Sequence, residues 1–450
     1  MLKKREYVQL YLSGLHLKDA RTNLSESPAD LIIENARQVV TLQGHSLKPA
    51  CGQQMDEVGI IEDGAVAISN GQIVEVGRTN FVNEHFFSQY RIDATGKVVT
   101  PGFVDAHTHL VFAGSRETEL EMKIKGVEYL DILKRGGGIL RTVRDTRAAS
   151  KQQLQEICKA RALSLLTCGV TTIEAKSGYG LTLEDEVKSL EVISELNKST
   201  PLTFIPTFLG AHAIPSEYSG RVSEYVDTVC DVWIPEIGKK KLATFCDVFC
   251  EKGVFEIDNS RRILEAGKRN GLLPRIHADE FYPLGGAVLA GEVGAISADH
   301  LLNMSSLGVE SLKHAGTIAT LLPAAPLTLM IDKYPDARNL ISNGVPVALG
   351  SDLSPSCWIE NYQLVLSLAC YKLRMTPAEA LTAATINAAH SVRMAQRIGS
   401  IEKGKSADLL ILEVSDYRSL AYRLGGNQVN AVLKNGRPVA REGKLLVAEG

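Results

Sequence analysis

Residues 98–109 read VVTPGFVDAHTH. The run VVTPGFVDA (98–106) is β-branched and apolar, which predicts a strand buried in a parallel sheet. It ends in His107 and His109. Residues two apart in a strand point to the same side, so both imidazoles leave the sheet in one direction. Working outward, seven further runs of this kind follow at 170–175 (VTTIEA), 203–210 (TFIPTFLG), 246–251 (CDVFCE), 273–279 (LPRIHAD), 295–301 (AISADHL), 317–322 (TIATLL) and 345–351 (VPVALGS). Helical stretches such as LEDEVKSLEVISELNK and SRRILEAGKRNG lie between them. Eight strand–helix units over about 290 residues predict an α/β fold, a (β/α)8 TIM barrel. A doubly wound sheet is the competing arrangement, but no GxGxxG follows an early strand.

The flanks have a different style. DLIIENARQVVTL (30–42), AVAISNGQIVEVG (65–77) and RIDATGKVVT (91–100) are short β runs separated by Asn-Gly and Thr-Gly turns. ADLLILE (407–413) and VNAVLKNGRPVAREGKLL (429–446) repeat that style at the other end. These runs predict a small antiparallel β-sandwich built from both termini, residues 30–97 and 398–450. The barrel, residues 98–397, is then inserted between its halves. Residues 1–29 form an N-terminal extension of weak helical character.

Composition limits the function classes. The 450 residues carry 49 Lys+Arg against 52 Asp+Glu, a net charge of 49 − 52 = −3. That balance argues against nucleic acid or an anionic membrane as a partner. Hydrophobic residues at 45% and charged residues at 22% are globular values, which exclude disorder and coiled coil for most of the chain. A chain this long folds without needing a metal, so a metal site here serves chemistry. The eight cysteines form no CxxC pair and most sit in apolar runs, which suits buried thiols in a reducing cytoplasm. The apolar stretch at the N-terminus is broken by polar residues and lacks a clear cleavage site. The longest uncharged apolar run, Thr317 to Ile331, is cut by Pro323 and Pro326, so no membrane span is expected.

In a barrel the chemistry lies at the C-terminal ends of the strands. The first run ends in His107 and His109, the third in His212, the fifth in His277 and Glu280, the sixth in His300 and the eighth in Asp352. Five of the ten histidines therefore converge on one face. Neutral imidazoles with a carboxylate are a donor set for Zn²⁺ or Fe. Such an ion lowers the pKa of a water towards about 7, which makes metal-assisted hydrolysis the expected reaction class.

At these residues the chain resembles the amidohydrolase superfamily. PGFVDAHTH is similar to its first-strand metal motif, and IGSIEKGKSADLLIL to its return strand into the small β domain. HTHLVFAGSRETE, YLDILKRGGGILRTVRDTRAAS, EAKSGYGL, GAHAIPSEY, CEKGVF and IHADEFYPLGGAVLAGEVGAISADHL narrow the resemblance to the imidazolonepropionases, over about residues 30–446. The resemblance implies a hydrolase of cyclic-amide C–N bonds. It would convert 4-imidazolone-5-propanoate to N-formimidoyl-L-glutamate, a step of L-histidine degradation. It implies one Zn²⁺ or Fe ion on His107, His109, His277 and Asp352. Arg116 would bind the propionate, with Tyr179 and His212 beside the ring. Glu280 would bond the ring and assist proton transfer, and His300 with Asp352 would orient or deprotonate the attacking water.

One departure stands out. Where the family reads D-x-N-P after the eighth strand, this chain reads DLSPSCW, so Ser354 replaces the asparagine in a loop that touches substrate. Serine keeps a hydrogen-bonding group but loses the reach and the paired donor and acceptor of an amide. The resemblance also implies a mononuclear site: the fourth run ends in CDVFCEKG, where Glu251 and Lys252 are the only candidates for a bridging ligand, and CEKGVF belongs to the pattern of the one-metal family. The triple glycine Gly136–Gly138 lacks a following Lys-Ser/Thr, so it reads as a turning loop and not a phosphate cradle. A heteroaromatic aminohydrolase is the competing function, and it would not need an arginine seven residues past His109. A barrel-shaped binding protein would lack ligands that are all present here. The partner expected is a small molecule, and a homodimer is compatible with the sequence.

Overall fold

The computed structural model describes residues 27–127 and 137–446. Most of the predicted extension, residues 1–26, and Gly136 lie outside the described residues. Eight parallel strands form the barrel: β1 (Phe103–Thr108), β2 (Val170–Lys176), β3 (Thr203–Ala211), β4 (Phe245–Cys250), β5 (Leu273–Ala278), β6 (Ser297–His300), β7 (Ile318–Leu321) and β8 (Val347–Leu349). They pair in chain order. The ring closes just past the strand ends. There Thr108 bridges Leu353 in parallel, Asp352 N donates to His107 O at 3.0 Å, and His109 N donates to Leu353 O at 2.9 Å.

Alternate residues of a strand face opposite sides. One set here is apolar and packs under the helices, as with Val104, Ala106, Ile173, Ala175, Val248 and Ile276. The other set is charged and buried: Asp105, His107, Glu174, Lys176, Asp247, Arg275, His277 and Asp299. The strands therefore read as apolar runs interrupted at alternate positions, because the barrel interior is polar towards the catalytic end.

The expected first strand, 98–106, is two strands. Val98–Pro101 belongs to the small domain, antiparallel to Leu409–Leu412 and parallel to Leu31–Val40. The chain crosses into the barrel at Gly102, whose N–H donates to Asp408 O at 2.8 Å. A Cβ at Gly102 would lie 2.5 Å from the Thr171 side chain, so a larger residue has no room at this crossing. The small domain is a nine-stranded sheet drawn from both termini. It is mixed and not purely antiparallel, since Arg91–Asp93 and Val98–Pro101 both run parallel to Leu31–Val40. Ile33, Val66, Ile68, Val99, Leu409, Ile411 and Leu433 share one enclosed core on its far face. Val40, Val98, Leu410, Leu412 and Val432, on the near face, join the barrel core.

Asn387 ties the loop after the first long strand of the small domain to β8. Its amide accepts from Ala50 N at 2.9 Å and donates to Ala50 O and Val347 O, each at 2.9 Å. Removing one partner from a buried hydrogen bond costs about 1–3 kcal/mol. Asn387→Ala is therefore expected to lower the thermal midpoint by a few degrees in calorimetry, with metal content unchanged. An unaltered midpoint would show that this contact contributes nothing.

Candidate active site

The donors converge at the C-terminal mouth of the barrel. His107 Nε2 lies 3.3 Å from His109 Nε2, which lies 3.2 Å from His277 Nε2. Asp352 Oδ1 is 3.6 Å from both His107 Nε2 and His109 Nε2. Ligand atoms about 2.0–2.1 Å from a tetrahedral ion stand roughly 3.4 Å apart, so these separations suit donors around a single ion. The tautomers agree. Asp299 Oδ2 accepts a hydrogen bond from His107 Nδ1–H at 2.6 Å, and Asp247 Oδ1 one from His277 Nδ1–H at 3.1 Å. Both Nε2 atoms are thereby left with lone pairs facing His109, an arrangement that a cation satisfies. The residues present fit a Zn²⁺ or Fe ion.

Burial, with neighbouring cationic and imidazole groups, holds His107 well below the ordinary histidine range. Burial together with His212 and His277 does the same to His109. Both are neutral, as ligation requires. Burial pushes the Asp352 carboxyl up to about 8, against the pull of Lys176 and with help from Asp105 and Asp299. A cation on this oxygen would oppose that and keep it ionised. Asp352 has φ 55° and His300 φ 76°. Non-glycine residues in this left-handed region are strained, and such strain gathers at functional sites.

The other predicted residues surround the cluster. His212 stacks on His109 with centroids 4.7 Å apart, and its Nδ1 bonds Gly178 O at 3.0 Å. Tyr179 packs edge-on to His212 at 5.0 Å. His300 Nδ1 is 3.6 Å from Glu280 Oε1 and has no hydrogen-bond partner among the described residues. Burial, then the Asp352 and Glu251 carboxylates, pushes Glu280 well above the carboxylate range. Glu251 does not turn to the histidines: its Oε2 accepts from Phe281 N at 2.8 Å and so fixes the loop that carries Glu280. Arg116 stands apart from the donor cluster, with Nε and Nη2 on Glu119 Oε2 at 2.9 and 2.7 Å. Ser354 is buried, and its hydroxyl is used within its own turn, by Cys357 N at 3.2 Å and Ser356 Oγ at 3.3 Å.

Sequence reasoning missed the residues that hold these in place. Lys176 Nζ donates to Glu174 Oε1 and Asp247 Oδ2, each at 2.8 Å. Arg275 Nη2 reaches Asp299 Oδ2 at 3.1 Å. Glu186 pins the loop bearing Tyr179 by accepting from Gly178, Gly180 and Leu181 N–H groups at 2.8–3.2 Å. The signal was available: a charged residue inside an apolar strand, such as Asp247 in CDVFC, is tolerated only when it is paired.

Two amidohydrolase family models match the chain, over residues 91–168 and 293–439. An imidazolonepropionase of Brevibacillus brevis is 50% identical over 418 residues, covering 92% of this chain and 98% of the relative. That of Geobacillus kaustophilus is 50% identical over 422 residues, covering 93% and 99%. That of Parabacteroides distasonis is 45% identical over 409 residues, covering 90% and 98%. Among solved structures, an adenosine deaminase from Xanthomonas campestris with bound zinc aligns with a TM-score of 0.70 at 20% identity, over 94% of this chain and 96% of that one. E. coli guanine deaminase aligns with a TM-score of 0.70 at 15% identity, over 91% and 99%. At such identities the two deaminases speak for the fold alone. The near-complete alignments at about half identity decide the matter, and the chain belongs to the imidazolonepropionase family of the amidohydrolases.

Proposed function

We propose that the chain hydrolyses the ring amide of 4-imidazolone-5-propanoate to N-formimidoyl-L-glutamate, with one Zn²⁺ or Fe ion on His107, His109, His277 and Asp352. The observation that carries this reading is the convergence of three imidazoles and one carboxylate at tetrahedral spacing, in a chain half identical to imidazolonepropionases. When bound, an ion of this kind polarises a carbonyl and makes water a nucleophile at neutral pH. His300 and Asp352 orient the water and accept its proton as oxygen adds to the ring carbonyl carbon. The C–N bond then breaks, leaving a carboxylate. Glu280, kept protonated by its burial, delivers a proton to the departing nitrogen. Tyr179 and His212 flank the ring, Ser354 and its turn border it, and Arg116 takes the propionate. The deaminase alternative has no use for Arg116. The eight free cysteines suit a cytoplasmic enzyme, and a homodimer is compatible with this reading.

The direct test is turnover of imidazolone propionate by purified protein with metal analysis of the same sample. One equivalent of metal tracking activity is expected; two would contradict a mononuclear site.

Glu280→Gln should retain the metal and lose roughly 10²–10⁴-fold in kcat, the contribution of a positioned acid. An emptied metal site, or turnover within a few-fold of wild type, would refute that role. Arg116→Lys keeps the charge but loses the fork, so KM should rise about tenfold, with a smaller change in kcat. Arg116→Ala should be worse. A wild-type KM for Arg116→Ala would favour the aminohydrolase reading.

Asp247 holds the His277 ring through Nδ1. Substituting such a partner of a metal ligand costs about 10–100-fold in metal affinity. Asp247→Asn should show this in a chelator competition, and undiminished affinity would mean that the carboxylate does not support the ligand.

A further inference from the structure

We propose that Glu119 is a positioning residue for substrate recognition: it holds one edge of the Arg116 guanidinium and leaves the other edge for the substrate carboxylate. This rests on the reading that Arg116 takes the propionate.

Glu119 lies on helix α1 (Glu117–Ile124), three residues after Arg116. Its side chain is 4% exposed and that of Arg116 9%. Oε2 accepts from Arg116 Nε at 2.9 Å and Nη2 at 2.7 Å. A guanidinium presents two forks, Nε with Nη2 on its side and Nη1 with Nη2 at its end. The side fork is closed on Glu119. Among the described residues Nη1 makes no hydrogen bond, so the end fork is free for an anion. A flexible arginine would lose rotamer freedom on binding, whereas one already fixed by Glu119 binds with less of that cost.

Glu119 also anchors the pair to a second element. Its Oε1 accepts from Gly138 N at 2.7 Å, at the start of helix α2 (Ile139–Ala148). Gly138 has φ 72°, a conformation that favours glycine. From α2, Thr146 Oγ1 accepts from Ala113 N at 3.1 Å in the Arg116 loop. Arg147 donates to Gly180 O at 2.6 Å and Leu181 O at 3.1 Å in the Tyr179 loop. Glu119 therefore fixes Arg116 against the same helix that holds Tyr179. A second cation lies near Arg116. Lys123 is pulled below its usual range by burial and then by Arg116, with Glu119 opposing.

The experiment is a double-mutant cycle on the metal-loaded enzyme with Arg116→Ala, Glu119→Gln and the double variant, each with metal content measured. Imidazolone propionate and a 4-imidazolone lacking the side chain serve as substrates. The expected result is a rise of about tenfold in KM for Glu119→Gln on the full substrate, with kcat within a few-fold and metal retained. Adding Glu119→Gln to Arg116→Ala should raise KM no further, and the truncated substrate should be insensitive to either change. Glu119→Asp, which keeps the charge, should recover part of the loss and serves if Glu119→Gln does not fold. An unchanged or lower KM for Glu119→Gln would overturn the proposal, the lower value meaning that Glu119 competes with substrate. Independent, multiplying effects in the double variant would overturn it as well. If Arg116→Ala alone leaves KM unaltered, the reading of Arg116 itself fails, and the proposal falls with it.

Discussion

Inside the barrel, three buried carboxylates, Glu174, Asp247 and Asp299, face two buried cations, Lys176 and Arg275. Taking each charge out of water costs several kcal/mol, and only good pairing offsets it. The contacts here link adjacent strands and also strands that do not pair with each other. Lys176 on β2 meets Asp247 on β4, and Arg275 on β5 meets Asp299 on β6 while donating to Ala106 O on β1 at 2.8 Å. Burial alone would lower the Lys176 pKa, yet its carboxylate partners outweigh that and raise it, so the ammonium is retained. A shift of one strand would leave charges unpaired. The side chains that set barrel register are also those that orient the candidate metal ligands, because Asp299 and Asp247 accept from the Nδ1–H groups of His107 and His277. The surplus of carboxylate lies below the donor cluster, where it favours a divalent cation.

Around this centre the loops are braced against one another. Helix α2 spans from the Arg116 loop to the Tyr179 loop through Thr146 and Arg147. Glu186 gathers the Tyr179 loop from below. A substrate held between Arg116 and the histidines would thus be measured by a rigid span, which is how a fold selects for the distance between a carboxylate and a ring. The segment ILRTVRDTR looks like an ordinary amphipathic helix in sequence. Its role emerges from contacts more than thirty residues away.

What could be read from the chain follows from periodicity. The barrel runs and the flanking β runs are local patterns, and apart from the first barrel run the structure places a strand within a few residues of each barrel run. The run 98–106 was misread because both its halves are apolar and β-branched, and nothing local says that Val98–Pro101 pairs with Leu409–Leu412. The ligand histidines were legible because strand ends place them on one face. Asp247, Asp299 and Lys176 were not, since their partners lie on other strands. Glu119 was hidden for another reason: a glutamate in the first turn of a helix is ordinary, and only its burial beside Arg116 and Gly138 marks it.

Ser354 lies in a closed turn after the eighth strand. The turn from Ser354 to Cys357 is closed by paired backbone bonds at 3.0 and 3.2 Å, and the serine hydroxyl caps Cys357 N. Cys357 Sγ in turn meets Ser351 O at 3.6 Å, and Trp358 packs edge-on against Phe112 at 5.3 Å. Phe112 stacks beneath the Arg161 guanidinium at 3.5 Å, within the segment that begins at His109. The turn is therefore anchored to the first-strand loop by packing and not by an amide reaching into the site. Ser354 makes its side-chain hydrogen bonds within this turn, to Cys357 N and Ser356 Oγ, and none of them reaches the donor histidines, Glu280 or Arg116. The charged interior of the barrel positions His107 and His277 independently of this turn, through Asp299 and Asp247.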